Sequence, residues 1–126
     1  MASQLYNKAK QDLLEGNLNL SSQIIKVSLV KTAYTFSAAD QDTTALGSNM
    51  VGTAFPLSSK TVTDGVFDAA DATIVNSDSG SAINALVIWD DDVSDRLIAY
   101  IDNFTQFNTA GNNVVVTWNA SGIFTL

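Results

Sequence analysis

The chain has 126 residues, of which 46% are hydrophobic and 15% charged, and its formal net charge is −7. This length and apolar content predict one domain with its own core and exclude an intrinsically disordered chain. The six basic residues are dispersed, which disfavours binding to nucleic acid or to an anionic membrane. The absence of cysteine excludes disulfides. The absence of histidine excludes Ser-His-Asp or Cys-His catalysis and histidine zinc sites.

The first segment predicts an amphipathic helix over residues 3–16. Ser3 is a suitable N-cap and Gly16 a suitable stop. Leu5, Ala9 and Leu13 recur every four residues, and the charged side chains among them are expected to turn mostly outward; these are Lys8, Lys10, Asp12 and Glu15. A helix of about three turns is marginal alone in water, so it must dock. Its partner is either the sheet of its own domain or a neighbouring subunit.

The next segment predicts one strand and one long loop. Ile25, Val27 and Leu29 alternate with polar residues, which predicts a half-buried strand, and residues 33–36 are expected to extend it or to form a second short piece. Residues 37–49, SAADQDTTALGSN, have no hydrophobic period. A loop this long in a compact domain is functional or mobile, so it is either a mobile surface loop or a contact arm that orders on a partner.

The middle of the chain predicts several short strands separated by turns. Residues 50–57 form one that ends near Pro56, because proline suits a strand end or an edge. Residues 60–63 and 66–67 flank an Asp64-Gly65 turn, and residues 72–75 form another brief strand.

Two apolar runs, residues 83–89 and 97–101, predict a central antiparallel hairpin around the polar loop 90–96. Only Asn84 is polar in the first run, so that strand is expected to be covered on both faces, at the centre of a sheet. Residues 114–118 and 123–126 predict a closing hairpin, with Gly122 supplying a left-handed position.

These elements predict a mainly β, single-domain protein over residues 1–126. Short strands with regularly spaced turn signals indicate a β-sandwich or small barrel over residues 24–126, preceded by the one N-terminal α-helix at residues 3–16. The N-terminus has no apolar signal core and no run is long enough for a membrane helix, so we expect the chain to be made and kept in the cytosol, or assembled there into something larger.

One acidic loop could carry metal chemistry. Its carboxylates at odd spacing are weak calcium candidates, because the central glycine and terminal glutamate of an EF-hand are missing; they are Asp90, Asp92 and Asp95, with Asp91 between them. The ordinary alternative is a solvated hairpin tip. We therefore expect no metal and no cofactor. Trp89 and Trp118 lie in predicted strands, where a core position is the default ahead of a sugar-stacking platform. The sequence shows no convergent pair of acidic residues such as glycoside hydrolases use, so it does not predict an enzyme.

Several segments carry a likeness to a known group of proteins. In the first half these are residues 5–8 (LYNK), 13–16 (LLEG), 25–30 (IKVSLV) and 60–69 (KTVTDGVFDA). In the second half they are residues 85–89 (ALVIW), 96–102 (RLIAYID), 114–118 (VVVTW) and 122–126 (GIFTL). Together they resemble small structural proteins of tailed bacteriophages. The likeness spans nearly the whole chain, is weakest over residues 37–49, and consists of fold residues, with no catalytic motif.

The resemblance implies a virion component without enzymatic activity, and within that class we favour a capsid decoration or cement protein. Such proteins bind the outer surface of the major capsid protein lattice, often as trimers, and are assembled in the host cytoplasm. No direct nucleic-acid or membrane contact is expected. The alternatives are a tail or head-to-tail connector subunit and, third, a carbohydrate-binding module on the virion surface. The expected contact residues come from the helix and the loop: Leu5, Tyr6, Leu13, Ser37, Asp40, Asp42, Leu46 and Met50.

Overall fold

The computed structural model describes residues 4–126 and confirms a mainly β protein with one N-terminal helix and antiparallel sheets. Among these residues the sheets do not close into a barrel, so of the two predicted architectures the barrel is wrong. The helix is α1, Asn7–Leu14. The strands are β1 (Gln4–Leu5), β2 (Ile25–Lys31), β3 (Met50–Pro56), β4 (Thr61–Thr63), β5 (Val66–Asp68), β6 (Ala72–Ile74), β7 (Ser79–Asp90), β8 (Arg96–Ile101), β9 (Phe107–Ala110), β10 (Val114–Val116) and β11 (Phe124–Thr125).

The main sheet is built around the predicted central hairpin. Its strand order is β1-β8-β7-β2-β3, and β9 also pairs with β7. In the hairpin, Leu86 pairs with Ile101 and Asp90 with Arg96. Every residue from 85 to 90 is buried, because α1 and the small sheets contribute to the same core as the main sheet. The central, doubly covered strand is therefore confirmed.

The predicted closing hairpin is wrong. Its two halves belong to different small sheets, since β10 pairs with β6 and β11 pairs with β5. The turn between them brings Ile123 against β5, where its backbone N–H donates to Phe67 O at 2.8 Å. Gly122 does take a positive φ of 108°, as expected. The apolar pattern thus identified two strands, whereas their partners lie far earlier in the chain, at residues 72–74 and 66–67.

Other segments differ from the prediction in extent. Strand β2 runs on to Lys31, and Val27 to Val30 are all buried, because β2 lies inside the sheet between β3 and β7 rather than half-exposed. Residues 33–36 form a turn and coil instead of a strand. The polar stretch 103–113 contains β9, which the sequence pattern missed. The Asp64-Gly65 turn between β4 and β5 is confirmed, with φ values of 51° and 82°.

The helix begins later than predicted. Tyr6 occupies its N-cap, although its side chain makes no capping hydrogen bond to the first turn, and Glu15 is the C-cap, just before Gly16. Leu5 lies in β1, which runs along the edge of β8 with Gln4 paired to Tyr100 and Leu5 paired to Ala99. The predicted cap, Ser3, lies outside the described residues. No helix within residues 4–126 has the length and hydropathy to span a membrane.

Candidate interaction surface

Helix α1 packs against the sheet of its own domain. Tyr6 and Ala9 are fully buried, and the Tyr6 backbone N–H donates to Ile98 O at 3.0 Å. The apolar side of the helix is therefore used inside this chain. Only its outer side remains for a neighbouring subunit.

Residues 37–49 are not structureless, because the chain itself holds them. They contain two short 3-10 turns, Thr43–Ala45 and Gly47–Asn49, and the Asp42 side chain caps the first of them. The backbone N–H of Asn7 donates to Ala38 O at 2.9 Å, and that of Leu97 donates to Gln41 O at 3.0 Å. These bonds tie the loop to both the helix and β8. The loop is therefore ordered without a partner.

A buried tyrosine pair anchors the start of this loop. The Tyr34 hydroxyl donates to Asp40 Oδ2 at 2.7 Å, so the Tyr6 hydroxyl donates to the Tyr34 oxygen, 3.0 Å away. Burial raises the pKa of Tyr34 to about 12, and burial together with the Tyr34 contact raises the pKa of Tyr6 further. Both hydroxyls therefore stay protonated at ordinary pH and keep Asp40 attached to the core.

Arg96, which pairs with Asp12, anchors the next residue of the loop, Gln41. Arg96 Nε lies 2.9 Å from Asp12 Oδ2, and Arg96 Nη1 donates to Gln41 O at 3.1 Å. Lys8 Nζ lies 3.3 Å from the other oxygen of Asp12. Asp12 is only 3% exposed, so the prediction that it faces outward is wrong. A signal was present in the sequence, since Asp12 follows Ala9 by three residues and so falls on the buried side of the helix.

We define the helix–loop surface as the outer sides of α1, of residues 37–49 and of the β7–β8 tip, residues 91–95. Thr43 N–H donates to Asp95 O at 3.1 Å, which joins the tip to the loop. The exposed acids of the tip are Asp91, Asp92 and Asp95, and Asp40 and Asp42 are partly exposed. The surface therefore carries a net acidic character along one side.

The predicted contact residues divide into two groups. Tyr6 and Leu46 are 0% and 1% exposed, so they support the surface from inside and their side chains are not available to a partner. The reason is the same for both: each fills the core beneath the segment that carries it. Of the others, Ser37 is exposed. The remaining five are partly exposed; they are Leu5, Leu13, Asp40, Asp42 and Met50.

The acidic tip uses its carboxylates to fold itself. Asp90 is fully buried, and its Oδ1 accepts from the backbone N–H groups of Asp92 and Val93 at 2.8 and 3.2 Å. Asp92 Oδ2 accepts from Ile24 N–H at 2.8 Å. Among the described residues no three acids converge as metal ligands would, so Asp90, Asp92 and Asp95 gain no support as a calcium site.

Asp90 predicts a pH-dependent stability. Its second oxygen, Oδ2, is buried and has no hydrogen-bond partner among residues 4–126. Burial raises the pKa of Asp90 above its ordinary value of 3.8, and the nearby Asp92 charge adds to the shift. The folded state therefore holds this proton more tightly than the unfolded chain. The stability from Asp90 is present below pH 3.8 and is lost as the pH rises through the raised folded pKa.

As the pH rises through the folded pKa of Asp90, the Asp90→Asn variant is expected to become more stable relative to the native chain, because asparagine does not ionise. Urea unfolding of both proteins from acidic to neutral pH measures the difference. Effects of Asp42 and Asp78, whose pKa values are lowered by hydrogen bonds, cancel in this comparison because both proteins contain them. A difference that does not change with pH would contradict the assignment.

The two tryptophans occupy different environments. Trp89 is buried, and its Nε1 donates to Ser28 Oγ at 3.1 Å, as a core position requires. Trp118 is only partly buried; its Nε1 donates to Ala70 O at 3.1 Å. The core prediction therefore holds for Trp89, whereas Trp118 lies at the margin of the core.

Comparison of the chain with protein-family models, curated proteins and solved structures finds no match.

Proposed function

We propose that this chain is a non-enzymatic structural protein of a tailed-phage virion, a capsid decoration protein that binds the outer surface of the major capsid lattice. The sequence likeness along nearly the whole chain suggests the class. The observation that supports it best is that the helix and residues 37–49, the two expected contact elements, form one continuous surface held by Tyr34, Arg96 and Gln41.

A surface ordered in advance suits repeated weak binding. Because residues 37–49 are already bonded to α1 and β8, little conformational freedom is lost on docking. Many such contacts repeated over a lattice would stabilise the head against internal DNA pressure by multivalency. The exposed acids at the tip favour a basic region of the capsid protein, so binding should weaken with added salt.

The main alternative, a tail or head-to-tail connector, needs free edges for ring assembly. The edge of β8 is covered by β1 and by bonds to Tyr6 and Gln41, and on β3 the Thr53 N–H donates to Val75 O. These contacts disfavour pairing along the main sheet. Strand β4 keeps the connector alternative open, since all three of its residues are exposed. The carbohydrate-binding alternative is weaker, because Trp89 is buried and so only Trp118 could stack on a sugar.

Fractionation of virions into heads and tails, with quantitative mass spectrometry of this chain, tests the proposal. A constant high ratio to the major capsid protein in the heads is the expected result. A low copy number with tails or necks would favour the connector, and absence from both fractions would overturn the virion assignment.

A pair of surface variants locates the contact. Ser37→Arg adds a charge to the helix–loop surface, and Ala120→Arg adds the same charge to an exposed turn elsewhere. We expect Ser37→Arg to weaken binding to heads lacking the chain by about tenfold or more, with Ala120→Arg unchanged. Deleting the helix is a poorer test, because it removes Tyr6 and Ala9 from the core. Equal binding of both variants and the native chain would exclude this surface.

A further inference from the structure

A groove lies between the face of the main sheet and strand β10. Its volume is about 370 Å³, within the range of protein ligand sites. Three paired residues of neighbouring strands form its floor, Leu29, Leu86 and Ile101. Its walls carry three partly buried aromatic side chains, Phe104, Phe107 and Trp118. We call this the aromatic groove.

Strand β10 borders the aromatic groove with an unused edge. It pairs with β6 on one side, and among the described residues no strand pairs with its other side. Val115, at its centre, is 67% exposed, although valine is a residue that strands bury. A free edge offers backbone donors and acceptors to an added strand, and a neighbouring apolar groove offers room for that strand's side chains.

The charge of the lining limits what can bind. The chain carries a net charge of −7, yet within the part of the chain that the structure describes no residue that lines the aromatic groove is charged. Its polar side chains are amides and a hydroxyl, from Asn103, Asn119 and Thr117. A charged ligand would lose its hydration here without gaining a partner. The lining therefore matches an uncharged ligand.

The size of the edge also limits the occupant. Three residues of strand span about 10 Å, whereas a stable interface between two folded proteins buries about 800 Å² on each partner. A short extended segment is enough to fill this edge, whereas a second copy would need contacts well beyond it. Strand addition gains its affinity from such short main-chain pairing, with side-chain pockets giving selectivity.

We propose that the free edge of β10 and the aromatic groove together bind an uncharged, apolar, extended segment of a partner polypeptide by strand addition. This inference does not depend on the virion role, because the groove and the helix–loop surface share no residue.

A synthetic capped peptide of alternating valine and threonine is the probe, titrated by calorimetry into the intact chain. The same titration followed by fluorescence of the Trp89→Phe variant reports on Trp118 alone, since the chain has two tryptophans. A peptide of the same composition with an N-methyl group on every backbone nitrogen has no backbone N–H to donate to the edge and is the ligand control.

Two variants with matched exposure test the site. Val115→Asp introduces a charge on β10, and Val62→Asp does the same on β4, another free edge whose Val62 is 54% exposed. Both positions are open to solvent, so both variants should fold, which their urea unfolding verifies. We expect Val115→Asp to weaken peptide binding by about tenfold or more, Val62→Asp to leave it unchanged, and the N-methylated peptide not to bind.

Four results would overturn the proposal. Equal effects of Val115→Asp and Val62→Asp on peptide binding would show that β10 is not the site. If the valine–threonine peptide does not bind, strand addition at this edge is excluded. A Trp118 fluorescence change with neutral oligosaccharides but not with the peptide would assign the groove to sugars. A concentration-dependent dimer abolished by Val115→Asp would assign the edge to a second copy of the chain.

Discussion

Replacing Arg96 with methionine is expected to lower the free energy of unfolding by about 3 kcal/mol, since it leaves a buried carboxylate without its main partner. The Asp12 side chain is 4% exposed, and Arg96 Nε donates to it at 2.9 Å. Lys8 Nζ remains at 3.3 Å, but its side chain is 29% exposed, so it compensates only in part. The same change removes the bond from Arg96 to Gln41 O. Urea denaturation gives the loss of stability, and hydrogen exchange should show faster opening of residues 37–49.

A second ion pair supplies the control for Arg96. Lys26 and Asp91 lie 3.4 Å apart with side chains 26% and 36% exposed, so Lys26→Met should cost less than about 1 kcal/mol. The double variant Asp12→Leu with Arg96→Met removes both buried charges and should recover part of the stability. If the double variant is no more stable than Arg96→Met alone, an uncompensated Asp12 is not the cause.

Gly122→Ala is expected to destabilise the protein by about 3 kcal/mol, from backbone strain and a steric overlap together. The φ of Gly122 is 108°, which residues with a Cβ rarely adopt. An added Cβ would overlap Val66 Cγ1 and would lie 3.2 Å from Phe67 O. Phe67 O cannot withdraw easily, because it also accepts from Ile123 N–H at 2.8 Å. Equilibrium unfolding in urea measures the effect.

Gly16→Ala separates the two contributions. Gly16 also has a positive φ, 78°, but no described residue has an atom within 4 Å of the position its Cβ would take. It should therefore show the conformational cost alone, about 1 kcal/mol. A loss in Gly122→Ala no larger than in Gly16→Ala would mean that the close approach to β5 does not contribute.

The helix–loop surface could be predicted in part. The helix and the long loop were both expected as contact elements, and the pattern of apolar residues located α1 to within a few positions. The sequence did not indicate that the loop is ordered, because its anchors are distant: Asn7 bonds to Ala38, Asp12 to Arg96, and Gln41 to Leu97. A run of small polar residues predicts a mobile loop as long as the hydrogen-bond partners of its backbone are unknown.

Sequence alone determined the mainly β class, the N-terminal helix, the central hairpin of β7 and β8, and the Asp64-Gly65 turn. All of these follow from local period, turn chemistry or apolar runs, which neighbouring residues carry between them. Only the tertiary structure decided that β10 pairs with β6 and β11 with β5, that Asp12 is buried against Arg96, and that β10 keeps a free edge beside the aromatic groove. The physical reason is that an apolar pattern reports that a segment is buried, whereas its partner is chosen by packing among residues far apart in the chain.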